Sequence, residues 1–181
     1  MKALKTIILV AAVALIASCA SGPTIGAPDY DPATNFAQYK SFGFLATDPI
    51  ADPMVDSRIR SGVTAALTSK GWTLNEQSPG VLVVPHVQLS EQTQLNTYNT
   101  GWGYGYGRWG GGPSTTTVSK IPIGTVIIDL VDAKAKQLIW RGTASNTINQ
   151  SSTPEQKQAA VNEAMTKLFQ NFPPGSAPAK K

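Results

Sequence analysis

The chain has 181 residues, with 15 Lys+Arg against 11 Asp+Glu, one histidine, one cysteine and a formal net charge of +4. Lys2 and Lys5 belong to an export-type segment; without them 13 bases face 11 acids, a charge of +2 scattered without a stripe, which argues against nucleic-acid binding. A single cysteine excludes a disulfide framework, and the length suits one domain stabilised by its own packed core.

The chain opens with Lys2 and Lys5, an apolar run from Ile7 to Ile16, and the small residues Ala17 and Ser18. This is the layout of a signal peptide, and the apolar run is shorter than the roughly 20 residues that span a bilayer. Ile16-Ala17-Ser18-Cys19 resembles the lipobox of bacterial lipoproteins, which places residues 1–18 in the signal and makes Cys19 the lipidation site. The resemblance implies a diacylglyceryl (palmitate-type) thioether on Cys19 and acylation of the freed amine; two or three chains hold a protein on a membrane where one releases it. Ordinary secretion with cleavage after Ala20 is the alternative. Ala20, rather than an acidic residue, points to the outer membrane and a periplasm-facing domain.

Residues 19–34, rich in Gly, Pro, Ser, Thr and Ala, are expected to form a flexible tether, residues 35–174 a single domain, and residues 175–181 a disordered tail. Tyr39 to Phe44 alternates in a strand pattern, with Phe42 and Phe44 on one face. Asp52-Pro53 opens a helix whose apolar stripe is Val55, Ile59, Val63, Ala66 and Leu67 and whose end is Gly71. Val81 to Leu89 is a strand in which Pro85 predicts an edge, a bulge or a break. Four more strands follow: Gln92 to Tyr98, Thr115 to Ile121, Gly124 to Val131 and Gln137 to Ala144, the last two joined by a turn over 132–136. A final helix starts at Thr153-Pro154-Glu155-Gln156, a capping box, and buries Val161, Ala164, Met165, Leu168 and Phe172. The fold class is therefore α+β, a mainly antiparallel β-sheet with two helices packed on it.

The stretch Gly124 to Gly142, GTVIIDLVDAKAKQLIWRG, resembles the signature hairpin of the bacterial lipoprotein family numbered 4136 among domains of unknown function. Asp31-Pro32 with Phe36, Tyr39 to Phe42, Lys70-Gly71-Trp72 and Leu168 to Pro174 are similar to that family as well, so the likeness covers nearly the whole chain after Cys19. Pro79-Gly80 and Ile121-Pro122-Ile123 depart from its pattern, outside the signature. The resemblance implies a lipid-anchored envelope domain without assigned activity, and so no catalytic residues. On spacing alone, Val126, Ile128 and Leu130 face one way and Ile127, Asp129 and Val131 the other, which sets the strand well inside the sheet. Asp129 and Asp132 fall on opposite sides and make no acid/base pair. Trp140 is expected in the core with Arg141 at its rim.

Gly101 to Gly112 contains Gly105, Gly107 and Gly110 at dinucleotide-loop spacing, but it leads to a Thr-rich strand and not to the helix such a loop requires. Two readings of this segment stand. Trp102, Tyr104, Tyr106, Arg108 and Trp109 form a surface for sugar rings or a membrane interface, or the aromatics fold back on the domain. His86, in an apolar run, is expected to be a sheet residue; neither a metal nor a cofactor is implied, and no nucleophile elbow exists. The function expected is that of a non-enzymatic interaction or structural module of the envelope, with an envelope protein or peptidoglycan as partner; the alternative is a glycan or small-ligand binder.

Overall fold

The computed structural model describes residues 22–45, 50, 52–99 and 114–174. Cys19, the expected signal segment and the expected tail lie outside them, as do Trp102, Tyr104, Tyr106, Arg108 and Trp109. Seven strands form one sheet: β1 (Thr24–Ile25), β2 (Asp29–Tyr30), β3 (Ser41–Phe44), β4 (Thr73–Leu74), β5 (Val81–Asn99), β6 (Ser114–Asp132) and β7 (Leu138–Thr147). Two helices, α1 (Pro53–Ser69) and α2 (Pro154–Leu168), complete the α+β domain. The order is β1-β7-β6-β5-β3-β4, with β2 also on β7. Most pairings are antiparallel, and β3 runs parallel to both β4 and β5.

Helix ends follow the sequence. Asp52 Oδ1 accepts from the Met54 and Val55 amides, and Gly71 takes the left-handed conformation, φ 84°, that ends α1. At α2, Thr153 and Gln156 exchange both capping-box bonds, at 2.9 and 3.3 Å. Ile59, Val63 and Leu67 of α1 and Met165 and Leu168 of α2 are buried against Val81, Val83, Ile128, Leu130 and Trp140, all on one sheet face. Two glycines set the close approaches. A Cβ on Gly62 would stand 2.9 Å from Met165 Cγ, where the helices meet. A Cβ on Gly142 would run into the Trp140 ring and Leu168, so the indole lies flat along its own strand beneath α2. Trp140 then stacks on Phe169, 5.1 Å between centroids, within a cluster that includes Phe36, Trp72 and Phe172.

Four expectations are corrected. The segment expected as a tether contains β1 and β2: Thr24 and Ile25 pair with Ser145 and Ala144, and Asp29 and Tyr30 with Arg141 and Trp140. Backbone pairing to the β7 edge, with Pro23 buried, holds a segment that has no hydrophobic period to betray it. Second, the expected strands 81–89 and 92–98 are one 19-residue strand, and 115–121 and 124–131 are another. Third, of the edge, bulge or break that Pro85 predicts, the edge holds locally, and neither proline breaks its strand. Val83 O accepts from Leu45 N at 3.0 Å, so alternate residues put the Pro85 nitrogen on that same side, just past the end of β3. Pro122 O accepts from Ile148 N at 2.8 Å just where β7 ends, so the donor that proline lacks would fall at the last rung and interrupts no pairing. Tyr39, read as part of a strand, instead follows a 3₁₀ turn, Phe36–Gln38.

Candidate functional site

The sheet face opposite the helices carries a row of charge across β5, β6, β7 and β2. The β6–β7 register sets Asp129 directly against Arg141, and β2 sets Asp29 against Arg141 from the other side. Arg141 donates from Nε and Nη2 to the two oxygens of Asp129, each at 2.6 Å. His86 Nε2 lies 3.4 Å from Asp129 Oδ2. The Asp129 side chain is 9% exposed, whereas those of Arg141 and His86 are about half exposed, at 48% and 49%. The hydrogen bonds to Asp129, then its charge and that of Asp29, hold the Arg141 guanidinium above its ordinary pKa.

Both Asp129 oxygens already accept from a fixed cation. Among the described residues no serine or threonine hydroxyl hydrogen-bonds to His86, and no group of His, Cys, Asp and Glu is placed to hold a metal. Thr125 and Ser145, near it on the same face, bond to each other at 2.9 Å. A second polar centre closes the β6–β7 turn: Asp132 Oδ1 accepts from the Lys134 and Ala135 amides, and Oδ2 accepts from the Tyr39 hydroxyl at 2.5 Å. Burial, then the bond to Asp132, raises the Tyr39 pKa, and the Tyr39 hydroxyl followed by the Ala135 amide lowers that of Asp132. Asp129 and Asp132 thus serve separate partners, as their spacing implied, and Trp140 is buried with Arg141 at the surface. A groove at the β2–β7 edge is lined by Asp29, Tyr30, Asp31, Leu138, Ile139 and Trp140, but Asp31 is taken up in bonds to Ala33 N and Thr34 Oγ1.

The largest candidate element is the distal hairpin of β5 and β6. Past Leu45 on one side and Ile148 on the other, these strands pair only with each other among the described residues, over eight positions from Gln92↔Ile121 to Asn99↔Ser114. Eight residues at roughly 3.4 Å make a ribbon about 27 Å long. It is mostly Gln, Thr, Asn and Ser, with Tyr98, Ile121 and exposed Leu95 (64%) opposite Val118 (59%), and an ion pair at its base, Lys120 Nζ to Glu91 Oε2 at 3.0 Å. The Gly/aromatic segment joins the two strands where the described ribbon ends.

Neither contact was open to sequence reasoning: a turn over 132–136 centres the hairpin on Lys134 and would set Asp129 against Ile139, and only the bulge between Leu130 and Val131 brings Asp129 opposite Arg141. The place of His86 beside them follows from the β5–β6 register.

A family model described as "Domain of unknown function (DUF4136)" matches residues 27–174. No curated protein matches the chain. Among solved structures, a PDZ domain protein from Parabacteroides distasonis has a TM-score of 0.56 at 11% identity over 86% of this chain. The match spans 37% of that protein, and at this identity the likeness concerns the fold alone. The PelC dodecamer from Paraburkholderia phytofirmans is similar at a TM-score of 0.48 and 14% identity, over 81% of this chain and 94% of its own.

Proposed function

The chain belongs to the DUF4136 family of unknown function, and from that footing we propose that it is a lipid-anchored protein of the bacterial envelope, a non-enzymatic interaction or structural module at the periplasmic face of the outer membrane. The observation that carries the module reading is the ribbon. The two strands extend about 27 Å past the packed body with outer backbone edges that no other described residue pairs with, and an open edge is a template for a strand from a partner protein. A two-stranded ribbon is marginal by itself, so maintaining one of this length fits a contact element better than a packing element. The non-enzymatic part draws support from Asp129, whose two oxygens are both occupied by Arg141. The anchor reading rests on the signal-like start and on Cys19, the chain's one cysteine, at the lipobox position. No helix of the described residues is long and apolar enough to cross a membrane.

Two measurements test this. Cys19→Ser should abolish fatty-acid labelling in cells, and persistent labelling refutes the anchor. Photo-crosslinkers at Gln94 and Thr117 on the ribbon should give discrete adducts that a crosslinker at Ala135 does not; no adduct at either ribbon position refutes the contact role. A second reading has the segment holding Trp102, Tyr104, Tyr106, Arg108 and Trp109 bind peptidoglycan or another glycan at the ribbon's end, favoured by its position between Asn99 and Ser114. Titrating muropeptides against tryptophan fluorescence separates the two, with Trp102→Ala/Trp109→Ala as control; no saturable change removes the glycan.

A further inference from the structure

We propose that the corner of the domain made by β1 and the Glu163–Lys167 stretch of α2 faces the bilayer that holds Cys19, and at close range. The inference rests on the lipid anchor proposed above and adds the surface that meets the membrane.

The chain is fixed to the domain almost as soon as the anchor is behind it. Pro23 is buried, Thr24 and Ile25 pair with Ser145 and Ala144, and the Gly26 amide donates to Thr143 O at 2.9 Å. Ile25 packs on the core. Gly22 runs against an ion pair on α2, Lys167 Nζ to Glu163 Oε1 at 2.8 Å: a Cβ there would lie 2.6 Å from Lys167 Nζ and 3.0 Å from Glu163 Oε1. Only Ala20 and Ser21 separate Cys19 from this docked stretch. Three residues extend at most about 10 Å, and a lipidated cysteine sits at the headgroup boundary, so the corner is held within about 10 Å of it. The far edge of the sheet is differently placed. From β1 to β4 the order crosses five strand spacings, about 24 Å at 4.8 Å each.

A long flexible tether would let every surface visit the bilayer; this leash does not. The corner's chemistry suits that position. Gly22 and Thr24 are exposed, the Glu163 and Lys167 charges cancel, and Asn162 and Thr166 offer uncharged polar groups beside them. The partner is therefore the lipid surface itself, held by the leash and without a requirement for anionic lipid.

The test uses the full-length protein lipidated in cells and reconstituted in phosphatidylethanolamine/phosphatidylglycerol vesicles with nitroxide-labelled headgroups. Fluorophores are placed on Thr166→Cys at the corner or on Leu74→Cys at the far edge, both exposed; lipidated Cys19 does not react. Quenching at Thr166→Cys should be several-fold stronger than at Leu74→Cys. Inserting twenty Gly/Ser residues between Ser21 and Gly22, a coil of about 25 Å, should bring the two sites close to equality. Equal quenching with the native leash, in protein whose N-terminal peptide carries fatty acids by mass, overturns this proposal and leaves the anchor standing. An N-terminal peptide without fatty acids overturns the anchor and this inference with it.

Discussion

Asp129 places a carboxylate on a sheet face that neither α1 nor α2 covers, and Arg141 decides whether that is tolerable. The pair is short and bidentate, with the acid buried and the base half exposed. Removing the base leaves a buried acceptor without its main donor, a loss of about 2 kcal/mol. Arg141→Leu should accordingly lower the melting temperature by about 6 °C, and the double variant Arg141→Leu/Asp129→Leu should recover most of that, because two apolar side chains leave no orphaned charge. Thermal unfolding of both variants checks this; a single variant within 1 °C of the parent means the pair holds nothing. Residue types alone reveal that an acid and a base flank the turn. Their contact comes from the β6–β7 pairing, and the bulge between Leu130 and Val131 is what lets the turn close without moving it.

At the scale of elements, the turn between β6 and β7 is tied to the segment before β3 through Asp132 and Tyr39. The two shifts act at opposite ends of the pH range. Asp132 is lowered in the folded state, so its contribution is present above about pH 4 and lost as pH falls through the folded value. Tyr39 is raised, so its contribution is present below about pH 10 and lost as pH rises past that. Tyr39→Phe should therefore flatten both the acid and the alkaline limbs of a melting-temperature profile while lowering its plateau; an unchanged acid limb would show that the hydroxyl does not stabilise the carboxylate. Capped helices were legible because their signals are local, as in Asp52-Pro53 and Thr153 to Gln156. Strand limits were not. Pro85 and Pro122 look like breaks in isolation and are harmless only because β3 and β7 end beside them.

For the whole molecule, the body and the ribbon are energetically unequal. The core joins both helices to the proximal sheet, whereas most ribbon side chains stay in water. Replacing Gln92 to Ile121 by an Asn-Gly turn should thus leave the body folded, with a melting temperature within about 3 °C of the parent. A larger drop in calorimetry would assign the ribbon a packing role instead. By itself the sequence determined the α+β class, the two helices and their caps, the hydrophobic face of β6 and the family signature, because each is written in residues close together in the chain. Only the tertiary structure decided that β5 and β6 are single long strands, that His86 reaches Asp129, and that the stretch after Ser21 is docked on β7. Those depend on which strands lie side by side and where each partner runs out, and long-range pairing leaves no local periodicity to read.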